Sequence, residues 1–338
     1  MSIALDIGTS RLRSLRREGE ELVGRSVPAM FALVADEPSA RSLLDRSQIP
    51  FAAGDGELAL IGDAALMHAA AFRAIAMRLM PGGLVPTDDP PARQLIATLI
   101  DSLLPDSLAT GQTCGLILPA AMMADDASAA FLVRLIQLRG YDPICLSAGQ
   151  ATALATLSSE GFTGLALSFG AGGCSLSLVR HGSELAEAAL PGGTDMIDAR
   201  LAAAARCYTH DSDGTRCLDV ESIRRQRESL SDPLTRPTTD FAAQVAEQYR
   251  EVLLRVVKDL ARQIEDRRLG AFTTPVPVVC AGGGARPAGF GGLMTAALAA
   301  IEMPLPIGPV RLAPASDYLV ARGGLIHAEL ESTCSAAA

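Results

Sequence analysis

Ile3-Ala4-Leu5-Asp6-Ile7-Gly8-Thr9-Ser10 is a short apolar run that breaks at a glycine turn, and Arg11-Leu12-Arg13-Ser14-Leu15 leads directly out of it. The way out of that turn decides the fold. A dinucleotide-binding start sends its glycine-rich turn into a helix. Here Leu12 and Leu15 continue on a second strand, Arg17-Glu18-Gly19-Glu20 is a turn signal, and residues 22–27 begin a third segment.

The same order returns later. Residues 164–169 read as a strand, 170–173 as a turn, 175–179 as a strand, Arg180-His181-Gly182 as a turn and 183–189 as a third strand. A strand, glycine turn, strand, turn, strand unit that occurs twice predicts two related domains facing a cleft. Between the two units, strands at 58–61, 114–118 and 143–146 alternate with helices at 64–79, 90–104, 125–139 and 150–158. After the second unit come helices at 195–207 and 219–230, with a polar loop at 209–214 between them. A long helix capped by Asp240 follows, with Phe241, Val245, Val252, Val256, Leu260 and Ile264 on its apolar face. A strand at 276–280, the Gly282-Gly283-Gly284 turn, a helix at 289–300, a strand at 310–312 and a helix at 318–330 complete the chain. Alternation of this kind is the mark of an α/β fold.

Composition narrows the function classes. Apolar residues make up 49% of the 338, enough for a large core, and aromatics only 4%, so Leu, Ala, Val, Ile and Met must fill it. The net charge of -9 argues against a broad nucleic-acid surface. Lys258 is the sole lysine, and no G-x-x-x-x-G-K-[ST] stretch exists, which excludes a P-loop. Phosphate contacts must therefore come from Arg, backbone N–H or a metal ion. The seven cysteines form no C-x-x-C pair and the four histidines are isolated, which predicts reduced thiols and no Cys/His metal site. No charge-free apolar run is long enough for a membrane span, and no basic leader precedes the first strand. The expectation is a cytoplasmic protein without a transmembrane segment or a nucleic-acid partner.

Ala4-Leu5-Asp6-Ile7-Gly8-Thr9-Ser10 resembles the first phosphate motif of MreB and DnaK-type (Hsp70-like chaperone) proteins. Leu167-Ser168-Phe169-Gly170-Ala171-Gly172-Gly173-Cys174-Ser175 resembles the second, and Pro191-Gly192-Gly193-Thr194-Asp195 the paired-glycine turn after it. Ala281-Gly282-Gly283-Gly284-Ala285-Arg286 is similar to the adenosine motif, Ala321-Arg322-Gly323-Gly324-Leu325 to the last helix, and residues 222–231 to the adenine-side helix. These phrases occur in the expected order over residues 3–330. The resemblance is to the actin-like ATPase superfamily, which also includes actin and sugar kinases.

The resemblance implies two duplicated actin-like (ribonuclease H-like) domains around a central nucleotide cleft. The first would span 1–155 with a compact small lobe near 28–85. The second would span 156–330 with a helical insertion near 194–273, and a frayed tail would follow at 331–338. ATP or ADP would be held by Gly8, Thr9, Ser10 and Arg11, by Ser168, Gly170, Ala171, Gly172 and Gly173, and by Gly192 and Gly193. Arg224, Arg227, Gly282, Gly283, Gly284 and Arg286 would take the nucleoside. Asp6 would act in catalysis and hold Mg²⁺ through water.

The sequence departs from the pattern where the family does its chemistry. Ser168 stands where the second motif normally has Asp, and Ser175 where chaperones have another acid. Met77 takes the place of the chaperone lysine. The stretch before the Ala-rich helix, Ser147-Ala148-Gly149-Gln150, has no carboxylate, which leaves Gln150 as the stand-in for orienting water. Loss of charge stabilisation or water orientation costs orders of magnitude in phosphoryl transfer. The expectation is an ATP-binding protein that is at most a weak ATPase, a conformational switch or regulator of an unknown protein partner. The alternative is an MreB-like filament that self-associates.

Overall fold

A computed structural model of the chain describes residues 2–54, 56–107, 111–210, 214–269 and 272–337. Of the expected first domain, residues 1, 55 and 108–110 lie outside the described residues. So do 211–213 and 270–271 of the expected insertion, and 338 of the expected tail.

The opening unit forms three strands, β1 (Ile3–Ile7), β2 (Arg11–Glu18) and β3 (Glu21–Pro28). The chain then builds a small lobe from β4 (Met30–Ala35), α1 (Pro38–Arg46), β5 (Phe51–Gly54), β6 (Glu57–Ile61), α2 (Asp63–His68) and β7 (Met77–Arg78). Its sheet runs β5-β6-β4-β7. The single helix expected over 64–79 does not form. Arg73 adopts a left-handed φ of 57° after a short 3-10 turn, and the chain re-emerges as β7 beside β4. Pairing with a waiting edge strand overrides the helical period of an Ala-rich run.

Next come α3 (Pro90–Leu103), β8 (Gln112–Leu118), α4 (Asp126–Leu138), β9 (Tyr141–Ser147) and α5 (Ala148–Thr156). The second unit is β10 (Gly164–Phe169), β11 (Gly173–Arg180) and β12 (Ser183–Pro191). It is followed by α6 (Thr194–Ala205), the short hairpin β13 (Tyr208–His210) and β14 (Arg216–Leu218), α7 (Val220–Glu228) and α8 (Asp240–Asp266). The chain closes with β15 (Val276–Ala281), α9 (Phe290–Ala300), β16 (Ile307–Leu312) and α10 (Leu319–Ala337). Thus α10 continues past Leu330, through the stretch expected to fray. Thr209 and His210, expected in a polar loop, pair instead in β13 with Cys217 and Arg216 of β14.

The two large sheets share one construction. Their orders are β3-β2-β1-β8-β9 and β12-β11-β10-β15-β16. In each, the first strand pairs antiparallel with its hairpin partner and parallel with a strand that arrives much later. The repeat read from the turns is therefore a repeat of topology. Every residue of β10 is buried, as expected for a central strand covered on both faces.

Helices α5 and α10 pack on each other and on the two central strands, β10 and β1 respectively. Close approach requires glycine here: a Cβ on Gly323 would collide with the carbonyl of Ala151 in α5. Gly323→Ala is expected to cost about 1–3 kcal/mol by overpacking, read as a lower urea midpoint at unchanged slope. A shift too small to measure would mean that α10 does not seat this tightly.

The other large core lies under the second sheet. Tyr249, Val252, Val256, Leu260 and Ile264 of α8 are buried against it. Thr239, not Asp240, caps this helix, accepting from the Ala242 N–H at 3.1 Å. Three of the few aromatics gather there: the Phe169 ring lies 5.4 Å from Tyr249 and 5.8 Å from Phe290. Phe169 is the last residue of β10, so this cluster fixes the strand end from which the second glycine turn springs. No helix among the described residues is long and apolar enough to cross a membrane.

Candidate nucleotide cleft

The glycine turns leave the same ends of the two sheets and bound a cleft of about 930 Å³, within the size range of small-molecule sites. From the first turn, Asp6, Gly8, Thr9, Ser10 and Arg11 line it. From the second, Ser168, Gly170, Ala171, Gly172 and Gly173 line it. From the third come Gly282, Gly283, Gly284 and Arg286, and from α7 come Arg224 and Arg227. These expected residues, scattered over 280 positions, therefore share one space.

The first two turns touch. A Cβ on Gly172 would overlap the Thr9 side chain, and Thr9 is itself buried. Two turns rich in backbone N–H groups and facing each other make a concavity suited to an anion. Cations surround it. Arg11, Arg13 and Arg78 line the cleft on the first side and Arg224, Arg227 and Arg286 on the second.

Three expected residues sit elsewhere. Gly192 and Gly193 do not line the cleft and act from behind the second turn. The Gly192 N–H donates to Gly172 O at 2.7 Å, while the Thr194 and Asp195 N–H groups donate to Gly170 O and Ala171 O at 3.1 and 2.9 Å. Gly192 donates one of these bonds, and Gly193 permits the close approach, since a Cβ there would collide with Gly170 O. Gln150 is also turned away, its side-chain amide donating to Gly182 O at 2.9 Å. That bond fixes the side chain on the β11–β12 hairpin, so it does not orient a water in the cleft.

The arginines differ in their commitments. Arg227 is 7% exposed and makes two bonds to Asp198 of α6, at 2.6 and 2.9 Å. Its guanidinium anchors α7 and is not free to stack on a base. Arg224 is paired with Glu221 at 2.7 Å, and its Nε is buried without a partner. Arg78 reaches across the cleft from β7 to Asp195 in the first turn of α6, with bonds of 3.1 and 2.9 Å. Arg78 follows Met77, which stands in the place of the chaperone lysine, and nothing local in the sequence shows that β7 faces α6.

Asp6 lies opposite Arg13 in the β1–β2 register, 3.4 Å from its Nη1. Burial raises the Asp6 carboxyl above the usual carboxylate range, and the Arg13 guanidinium opposes that shift. No cluster of three or more His, Cys, Asp or Glu that could hold a metal ion occurs among the described residues. Mg²⁺ in phosphate sites is commonly held by one or two carboxylates, water and the phosphates themselves. The carboxylate of Asp6, at the first glycine turn, fits that limited role through water.

The Volactin family model matches residues 1–328, and the chain belongs to that family. A comparison with curated protein sequences returns no match. Among solved structures, the chain is similar to one described as a MamK double helical filament, at 14% identity, over 97% of this chain and 99% of that one, with a TM-score of 0.68. It is also similar to MreB5 of Spiroplasma citri bound to ADP, at 14% identity over 99% and 98%, with a TM-score of 0.60. A third is the ethanolamine utilization protein EutJ from Carboxydothermus hydrogenoformans, at 15% identity over 96% and 89%, with a TM-score of 0.51. At such identities the likeness speaks for the fold, which is that of the actin-like ATPases.

Proposed function

We propose that this member of the Volactin family is a cytoplasmic actin-like protein that binds ATP in the cleft and assembles with copies of itself into filaments. The sequence reading puts a nucleotide-controlled regulator first and a filament second. The similar structures favour the filament, since one of them is a filament and another holds ADP.

The observation that carries the reading is the distribution of exposed apolar side chains. Of the 13 large hydrophobics exposed among the described residues, six lie on the small lobe: Leu33, Leu43, Leu66, Met67, Ile75 and Met77. Apolar residues concentrated on one lobe mark an interaction surface, while scattered ones do not. Met67 is 68% exposed and projects from the end of α2. A second copy of the chain is the occupant that the filament structure of a similar protein supports.

Sedimentation and negative-stain electron microscopy test the reading. The protein is expected to pellet as filaments with Mg²⁺ and ATP or a non-hydrolysable analogue. Leu66→Glu/Met67→Glu is expected to stay in the supernatant while still binding nucleotide. A wild-type chain that binds ATP and remains monomeric at every concentration would return the function to the regulator reading.

A further inference from the structure

The chain lacks an acid at the start of α5, and a neighbouring strand brings two carboxylates to the same place. Ser175 lines the cleft opposite Ser168 in the β10–β11 register. Its hydroxyl donates to Glu187 Oε1 at 2.6 Å and accepts from the Gly149 N–H at the start of α5 at 3.2 Å. Glu184, three residues nearer the hairpin, accepts at Oε1 from Ser147 at the end of β9 at 2.5 Å, and the Ser147 hydroxyl contacts that of Ser177 at 3.2 Å. Ser175 and Ser177 of β11, with Glu184 and Glu187 of β12, occupy the sheet face that packs on α5. The same face of β11 also carries Val179, which packs with Ala153 of α5. The opposite face carries Leu176, Leu178, Ala186 and Ala188 into the core.

We propose that Ser175 and Glu187 form the proton-accepting pair of the cleft, with Glu187 supplying from β12 the carboxylate that the start of α5 lacks. The inference rests on the reading of the cleft as an ATP site. The Ser175 hydroxyl has its proton directed at Glu187 and one lone pair taken by Gly149, so the other lone pair can receive a water from the cleft side. That water attacks the γ-phosphorus. Its proton passes to Ser175 Oγ as the serine proton passes to Glu187. The bond from the γ-phosphorus to the β,γ-bridging oxygen breaks with its electron pair leaving on ADP, so the products are ADP and inorganic phosphate. Glu187 then returns its proton to solvent. A base works best when its proton affinity is near the working pH. Burial, aided by the charge of Glu184, raises the Glu187 carboxyl to about 7, against the pull of the Ser175 hydrogen bond.

The test uses the whole chain, ATP with Mg²⁺, calorimetry for binding and single-turnover hydrolysis across pH. Wild type is expected to bind ATP and to hydrolyse it with a rate that falls as pH drops through about 7, where Glu187 gains its proton. Glu187→Gln is expected to keep the affinity, lose that acidic limb and slow hydrolysis roughly 100-fold. Ser175→Ala, a smaller change to the strand, is expected to slow hydrolysis at unchanged affinity. ATP binding with no hydrolysis by wild type, or a Glu187→Gln enzyme with the wild-type rate and pH limb, overturns the pair and leaves the nucleotide site standing. A Glu187→Gln chain that loses rate and affinity together while keeping the limb reduces Glu187 to a structural part and also overturns it. No ATP binding by wild type removes the cleft reading and this inference together.

Discussion

Asp198→Ala is expected to lower stability by about 3–5 kcal/mol, the cost of leaving a buried guanidinium without its partner. Asp198 is fully buried and Arg227 nearly so, and their paired bonds join α6 to α7. An exposed ion pair of the same geometry would contribute no more than about 1 kcal/mol, so burial decides the size of the effect. The measurement is urea unfolding, with a fall in midpoint beyond what any of the surface pairs produces. Asp198→Leu combined with Arg227→Met should recover much of the loss, because replacing both charges by apolar groups of similar volume removes the desolvation cost together with the attraction. A loss below about 1 kcal/mol for Asp198→Ala would show that water reaches the pair. The effect extends to the cleft. Arg224 is carried on the helix that Arg227 anchors, so Asp198→Ala should also weaken ATP binding, and the double replacement should restore stability more fully than affinity.

The residues explain why some of this architecture was legible in sequence and some was not. The glycine turns after β1, β10 and β15 announce themselves because a turn is a local event, written in adjacent residues. Their order along the chain points to the actin-like fold, and most of the residues it singles out line the cleft. What sequence missed depends on strand register. Glu187 is twelve residues from Ser175, and the two come together only because β11 and β12 pair Ser177 with Glu187, with a register shift further along at Leu178/Val179. The α5 stretch itself offers Gln150 in place of an acid, and no local signal shows a carboxylate arriving from another element. The Gly192-Gly193 pair shows the same limit in another form. Sequence indicates that the backbone there needs freedom, but not whether the turn faces the ligand or supports the segment that does. Arg78 and Asp195 are 117 positions apart, and their bond is invisible until the small lobe is folded against α6. The Ala-rich run at 64–79 misled for a different reason: its helical period is real, but an edge of β4 was available to capture Met77 and Arg78 as a strand.

Gly172→Ala is expected to weaken ATP binding by roughly 10- to 100-fold, the equivalent of about 1–3 kcal/mol of overpacking. Gly172 has no left-handed φ, so alanine suits its backbone, and the obstacle is the Thr9 side chain on the opposing turn. The two turns belong to different sheets, joined across the cleft also by Arg78 and Asp195. The turns already meet in this structure, so a methyl group between them must displace Thr9 or push the turns apart. The penalty falls on the contact that brings the two turns to one anion, and is expected both as weaker binding by calorimetry and as a lower urea midpoint. Thr9→Gly in the same chain opens the space again, so the double variant should bind ATP more tightly than Gly172→Ala alone, a positive coupling that independent sites would not give. If Gly172→Ala instead binds as wild type does, the turns do not meet in the nucleotide-bound protein, and the grip must come from the arginines alone.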